Sequence, residues 1–299
     1  MNYGIEGRDN PGWTTYAVVK SGLLPEDHPF TAAVYAGAMN VIWEQDGGVG
    51  RIILNRPDSL NAWTDELGRD LKQVITGDAA DESVRAVLVT GAGRGFSSGA
   101  DLKSGFDPHP DDGMPDIRKE LHELYHPIIA GVRRLEKPVV AAVNGPAVGI
   151  GASLAFACDL VLAAESAFFG LGFVNIGLMP DGGSTLFVPA AVGKARAFQM
   201  ALLGERVPAE RALEWGLVNY VHPDDRLMDE ANELVEKLAA GPTRSYASSK
   251  QALNRMLYPD LDGQLDLEAD LQHALARTKD FQEGVTAFVE KRDPAFQGA

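Results

Sequence analysis

The sequence predicts an α/β fold that gives way to a helical C-terminal region. Three observations carry that prediction. Short apolar runs closed by turn residues alternate with helical periodicity through the first two thirds of the chain. Glycine-bearing loops follow two of those runs. Beyond residue 193 apolar stripes at helical spacing dominate, separated by Gly or Pro breaks. The expected organisation is an extension over residues 1–38, a core over 39–192 and a helical region over 193–299.

In residues 1–38, Pro11, Gly12, Gly22, Pro25 and Pro29 interrupt any sustained period, which reads as a flexible extension or an arm lying across the body. Met39 offers a second start immediately before the regular pattern. Val49–Leu54 is the first convincing strand and runs into the turn Asn55-Arg56-Pro57. Thr64 is placed to cap a helix over 65–76, with Leu67, Leu71, Val74 and Ile75 on its apolar face. Val84–Thr90 and Val139–Val143 are short, wholly apolar runs, the pattern of strands buried on both faces. Helices are expected near 195–203, 208–215, 226–239, 243–257 and 264–276, with one short strand at Leu217–Val221.

The charge pattern removes several function classes. The chain has 299 residues, with 42 acidic against 27 basic side chains and a formal net charge of −15. Such a surface repels nucleic acid and anionic membrane, so neither is an expected partner. A polyanionic ligand would need a locally basic patch. Cys158 stands alone, which excludes an intrachain disulfide; it reads as a small packed residue on a buried helix, with no basic neighbour in sequence. No apolar run reaches the roughly 18 residues of a membrane span, and the first residues lack a basic-then-apolar signal. The expected location is cytoplasmic.

The two glycine loops are the first candidates for chemistry. One runs Thr90-Gly91-Ala92-Gly93-Arg94-Gly95-Phe96-Ser97-Ser98-Gly99-Ala100-Asp101-Leu102, the other Asn144-Gly145-Pro146-Ala147-Val148-Gly149-Ile150-Gly151-Ala152. Glycine lets backbone approach a ligand closely, and a helix start presents unpaired N–H groups. Converging, the loops can offer two amide donors to one developing oxyanion; alternatively they are tight turns serving packing. Neither has the spacing of a dinucleotide or phosphate loop. No His, Cys or Asp cluster is read at metal-ligand spacing.

A family resemblance rests on blocks that occur in order over residues 39–299. They are Asn55-Arg56-Pro57 followed by Asn61-Ala62, the Gly95–Leu102 segment, Lys137–Gly145 and Cys158-Asp159-Leu160. Gly177-Leu178-Met179-Pro180-Asp181-Gly182-Gly183 follows, and the ending Glu283-Gly284-Val285, Phe288 and Lys291-Arg292 completes the set. Together they resemble the crotonase (enoyl-CoA hydratase/isomerase) superfamily. The resemblance implies a crotonase-like spiral of ββα units with a helical C-terminal trimerisation region, assembled as a homotrimer or dimer of trimers. It implies an acyl-CoA substrate, with coenzyme A as part of that substrate and no separate cofactor or metal. The thioester carbonyl is expected between the main-chain N–H groups of Ala100 and Ile150. Isoleucine there does not remove the donor, provided its side chain turns away.

Family hydratases carry two glutamates over the substrate, and the matching positions here are Ser153 and Phe173. Their loss disfavours simple hydration and leaves Asp181 as the candidate proton carrier. Beside Leu171, Phe173 and Leu178, its pKa is expected to rise by desolvation. The plainer reading is that Asp181 caps the helix beginning near Ser184. Similarity is greatest to the phenylacetate-pathway isomerases of ring-epoxidised acyl-CoA, through Gly93-Arg94-Gly95-Phe96, Tyr125-His126-Pro127 before Arg133-Arg134-Leu135, Phe173 and Gln264–Glu268. The function expected is thus an acyl-CoA isomerase; a hydratase ordering water through Asp181, or a silent acyl-CoA-binding paralogue, are the alternatives. Tyr125, His126, Phe173 and Leu178 are expected to line the acyl pocket. Arg56, Ala62, Leu102 and Lys291 are the candidates for coenzyme A. Asp101 is expected to hold its own loop through side-chain-to-backbone bonds.

Overall fold

The computed structural model describes residues 39–299 and, ahead of them, the backbone of Ala17–Lys20. The rest of the 1–38 extension, and the readings of flexibility and start site that fall on it, lie outside the described residues. Ala17–Lys20 forms β1, a strand that the proline-punctuated pattern did not suggest. It pairs parallel with β2 (Val41–Asp46), which turns back antiparallel onto β3 (Val49–Leu54). Helix α1 (Asp65–Thr76) follows, capped as expected by the Thr64 hydroxyl, which accepts from Leu67 N–H.

The large sheet continues with β4 (Ala86–Gly91), β5 (Val139–Val143) and β7 (Leu160–Ala164), all parallel from β3 onward. Both β4 and β5 are buried at every residue, which is why they read as unbroken apolar runs. Between β4 and β5, α2 (Ile117–Glu120), a π-helical turn (Leu121–Tyr125) and α3 (His126–Arg134) follow one another without a break. After β5 the chain adds β6 (Ala147–Val148) and then α4 (Ile150–Ala157). After β7 it adds β8 (Phe168–Gly170) and then α5 (Ser184–Leu203). Each unit thus places one strand in the large sheet, a short one in a second sheet, and then a helix. This is the ββα spiral expected from the family resemblance.

The second sheet runs β6-β8-β9, with β9 at Val207–Pro208. Helix α6 (Ala209–Trp215) then leads to β10 (Tyr220–His222), which joins the large sheet beside β7. The region beyond residue 193 therefore returns to the sheet before it becomes wholly helical. Helix α7 (Leu227–Ala240) contacts β4, β5 and β7. Helices α8 (Thr243–Leu257), α9 (Leu261–Leu275) and α10 (Lys279–Glu290) complete the chain.

The expected division at residue 192/193 falls inside α5, at Gly193, whose φ of 73° and ψ of 172° break the helix there. Taken whole, α5 is long and apolar enough to cross a membrane, contrary to the expectation that no run reaches that length. The break at Gly193, and Pro189 within the first half, mean that no straight rod of that length exists.

Candidate active site

A cavity of about 420 Å³ opens between the spiral and the C-terminal helices. Ser98, Gly99 and Ala100 of the first glycine loop lie on its wall, as do Val148, Gly149 and Ile150 of the second. The loops are joined where the sequence could only suggest convergence. Val148 N–H donates to Ser97 O at 2.9 Å, and Ser97 bridges to Ala147. Gly99 (φ 93°) and Gly149 (φ 55°) meet so closely that a Cβ on Gly99 would lie 3.0 Å from Val148 O, and one on Gly149 would lie 3.7 Å from Gly99 Cα. Both hold φ values that other residues rarely adopt.

The two contacting glycines immediately precede Ala100 and Ile150, so their peptide groups aim the next two N–H bonds. Neither N–H donates to any acceptor among the described residues. Ile150 is the first residue of α4, where an N–H has no intrahelical partner. Its side chain is buried and reaches toward Gly182, where a Cβ would come within 2.5 Å of Ile150 Cδ1. Gly95-Phe96-Ser97-Ser98-Gly99 has the spacing of a serine-nucleophile elbow, but Ser97 is fully buried. Its hydroxyl donates to Asn61 O and accepts from Gly99 N–H, so it fastens the loop.

Acidic side chains also line the cavity. Asp181 lies on the wall and is 4 % exposed. Its main-chain carbonyl accepts from the hydroxyls of Ser153 and Ser184, each at 2.8 Å. Ser153 stands where family hydratases carry an acid, and here it holds the loop of another acid. The Asp181 side chain does not cap α5. That duty falls to Glu268 of α9, whose carboxylate accepts from Gly183 N–H at 2.8 Å and Thr185 N–H at 3.3 Å. Asp181 Oδ2 accepts from Gln272 Nε2 at 2.8 Å, while Oδ1 is buried with no partner among the described residues. Burial, followed by repulsion from Glu268, pushes this carboxyl well above the ordinary range, while the Gln272 bond opposes the shift.

Among the other expected pocket residues, Tyr125, Phe173, Leu178 and Leu102 are on the wall. His126 is not. It is 8 % exposed, with Nε2 unpartnered among the described residues, and burial pushes its pKa down to about 4. Contrary to the reading that no metal-ligand spacing exists, His122 and His126 stand four residues apart and meet Asp266, their ligand-capable atoms all within 4.8 Å of one another. Arg56 and Ala62 also lie off the wall. The Arg56 guanidinium is taken up locally, donating to Ala62 O and to Asp101 Oδ2. Asp101 in turn accepts from Lys103 N–H, the loop-holding role expected of it. Lys291, at the end of α10, is exposed and off the wall.

Several wall residues were given no role by the sequence reading, among them two arginines, a glutamate and a glutamine. Arg206, stacked over the Phe168 ring with its guanidinium carbon 4.7 Å from the centroid, supplies positive charge, whereas the Arg292 guanidinium is paired with Glu283 and Glu290. Glu120 and Gln272 lie on the same wall. Burial pushes the Glu120 carboxyl up to about 7. Cys158 is buried as expected, and burial pushes its thiol up to about 12. Yet Lys250 and Arg133 do approach it from distant segments, as partners of the neighbouring Asp159.

Comparison with known proteins bears on the reading of this cavity. The Enoyl-CoA hydratase/isomerase family matches residues 44–299. The chain is 43% identical over 251 residues to 1,2-epoxyphenylacetyl-CoA isomerase of Escherichia coli K12, covering 84% of this chain and 95% of that protein. It is 36% identical over 247 residues to 2,3-dehydroadipyl-CoA hydratase of the same organism, covering 83% and 94%. Among solved structures, an enoyl-CoA hydratase from Mycobacterium avium subsp. paratuberculosis K-10 superimposes with a TM-score of 0.78 at 42% identity, covering 86% of this chain and 98% of that one.

Proposed function

The chain belongs to the enoyl-CoA hydratase/isomerase family, and from that premise we propose that it is an acyl-CoA isomerase with Asp181 as its proton carrier. One observation carries the reading: Asp181 presents an unpartnered, buried carboxylate oxygen on the same wall as two free main-chain N–H groups.

In this mechanism the thioester oxygen lies between the N–H groups of Ala100 and Ile150. Removing a proton from the α carbon moves its electron pair into the carbonyl, and the oxyanion so formed is stabilised by both donors. One such donor is typically worth about 2.7–4 kcal/mol of barrier. Asp181 takes the α proton and returns it to the γ carbon, so the double bond shifts and no atom is gained or lost. A carboxyl whose proton affinity is raised by burial is a stronger base once ionised, and it yields its proton closer to neutral pH. The similarity to an epoxyphenylacetyl-CoA isomerase supports a ring-derived acyl group as substrate. The basic group that a −15 chain needs for a coenzyme A phosphate is proposed to be Arg206 on the cavity wall, with Arg292 able to join it by exchanging its glutamate partners.

A second reading is hydration, favoured by Glu120, a second carboxyl on the cavity wall. A panel of crotonyl-CoA, 3-hexenoyl-CoA and ring-epoxidised phenylacetyl-CoA, followed by mass spectrometry, separates the two. The isomerase reading expects products of unchanged mass from the last two. A product one water heavier from crotonyl-CoA, with the others unconverted, would overturn it.

We further propose assembly as a homotrimer or dimer of trimers. Exposed apolar side chains support this, including Phe198, Leu202 and Leu203 on α5 and Leu253, Met256 and Leu257 on α8.

A further inference from the structure

Helix α9 carries a polar stripe on its buried face. Gln264, Glu268 and Gln272 stand four residues apart and so share one side of the helix. Glu268 is 0 % exposed and Gln272 1 %. Burying a carboxylate and an amide is costly unless each is hydrogen-bonded, and a helix docking on a core needs neither. Here each finds partners in one short segment. Gln272 Nε2 donates to Asp181 Oδ2 at 2.8 Å and to Met179 O at 2.7 Å. Its Oε1 accepts from Met179 N–H at 3.4 Å. Glu268 accepts from the N–H groups of Gly183 and Thr185 and from the Thr185 hydroxyl. Gln264 Nε2 donates to Thr185 Oγ1 at 2.9 Å. The stripe therefore reads residues 179, 181, 183 and 185 in order, the segment that carries the candidate proton carrier.

We infer that Gln272 and Glu268 are positioning residues for proton transfer by Asp181. This inference rests on the isomerase reading above. Gln272 occupies Oδ2, which orients the carboxyl group and leaves Oδ1 as the oxygen without a partner among the described residues. Glu268 ties down the helix start that follows Asp181 and sets a second negative charge behind it. That charge favours the protonated form of Asp181 and so raises its proton affinity. Other groups facing Asp181 are Glu120 at the end of α2, which acts in the same direction, and Tyr125 of the π-helical turn. From α4 and α5, the groups that reach its carbonyl among the described residues are all neutral, the hydroxyls of Ser153 and Ser184 and the Ser184 N–H.

The test compares wild type, Asp181→Asn, Gln272→Met and Glu268→Gln in the isomerisation of 3-hexenoyl-CoA across pH, with thermal unfolding recorded for each. Methionine keeps the length of Gln272 without its donors, and glutamine at 268 keeps an acceptor without the charge. Gln272→Met is expected to lower kcat by about 10- to 100-fold with KM nearly unchanged, the cost of a misplaced reacting group. Glu268→Gln is expected to move the acidic limb of the rate profile down by roughly one pH unit, as loss of a like charge requires. A destabilised helix alone would reduce the folded fraction without shifting that limb. Should Glu268→Gln fail to fold, the kcat against KM split of Gln272→Met decides alone. An Asp181→Asn enzyme as active as wild type would remove the isomerase reading. Turnover that depends on Asp181 while both α9 variants match wild type in kcat and pH profile would overturn this inference alone.

Discussion

Part of the cavity wall works through main-chain N–H bonds and part through side chains, and there Asp181 is held by a residue 91 positions further along the chain. The amide end is built locally. Two glycines with positive φ touch, and each aims the N–H of the residue that follows. Side-chain identity at 100 and 150 matters little to the donors, whereas backbone conformation at 99 and 149 matters greatly. The acid end is the reverse. Its backbone also turns through two positive-φ glycines, Gly182 and Gly183, but its chemistry depends on which side chains α9 delivers to it.

Substitutions that respect or violate this contrast should have very different effects. After Asp181→Asn, which should abolish turnover, the largest is expected at the amide end from Gly149→Ala. With φ 55° and ψ −130°, alanine there is strained, and relaxing the strain turns the Ile150 N–H away. Steady-state kinetics should show a loss of about 10²–10³ in kcat, the usual effect of one lost oxyanion donor. Smaller is the effect of Ile150→Val, which keeps the N–H and trims only a buried methyl. Chemical denaturation should register about 0.5–1.5 kcal/mol of lost stability, with kcat within twofold of wild type.

The acid end should reveal itself in stability against pH. Asp181 and Glu268 both have folded-state pKa values above their unfolded ones, Glu268 moving from 4.5 to about 7. Groups shifted in this direction contribute most to stability below the unfolded pKa, and that contribution is lost as pH rises through the folded one. Glu268 therefore sets a window between about pH 4.5 and 7, and Asp181 acts above 3.8 in the same sense. Thermal unfolding of Asp181→Asn should consequently gain on wild type as pH rises from 5 to 8. A difference that stays constant with pH would break the claim that this end is held at an electrostatic cost. The smallest effect lies outside both ends. With its thiol pushed up to about 12, Cys158 should resist iodoacetamide in the folded protein at pH 8 and react once denaturant is added.

The same contrast explains what the sequence made legible. Local features survived intact: Val49–Leu54 and Val139–Val143 are strands with those bounds, and helix 65–76 starts at its expected Thr64 cap. Both glycine loops converge as their composition suggested, because the geometry is written in adjacent residues. The partners of Asp181 were not legible, since α9 inverts the rule used to read helices. It buries Glu268 and Gln272 and leaves Leu267 and Leu271 48 % and 43 % exposed. A pattern that takes leucine as inward assigns the polar stripe to solvent. The local pairing of Arg56 was hidden for a related reason: Asp101, 45 positions away, takes up its guanidinium. The arginines that do line the cavity are Arg206, which no motif marked, and Arg292, which stood in the C-terminal block without an assigned role.

The central claim is that both ends act on one thioester, and deuterium exchange into 3-hexenoyl-CoA in heavy water tests it most directly. Wild type is predicted to incorporate deuterium at the α and γ carbons, while Asp181→Asn binds the same acyl-CoA and exchanges at the uncatalysed background. Exchange at wild-type rate by the Asn variant would contradict the account.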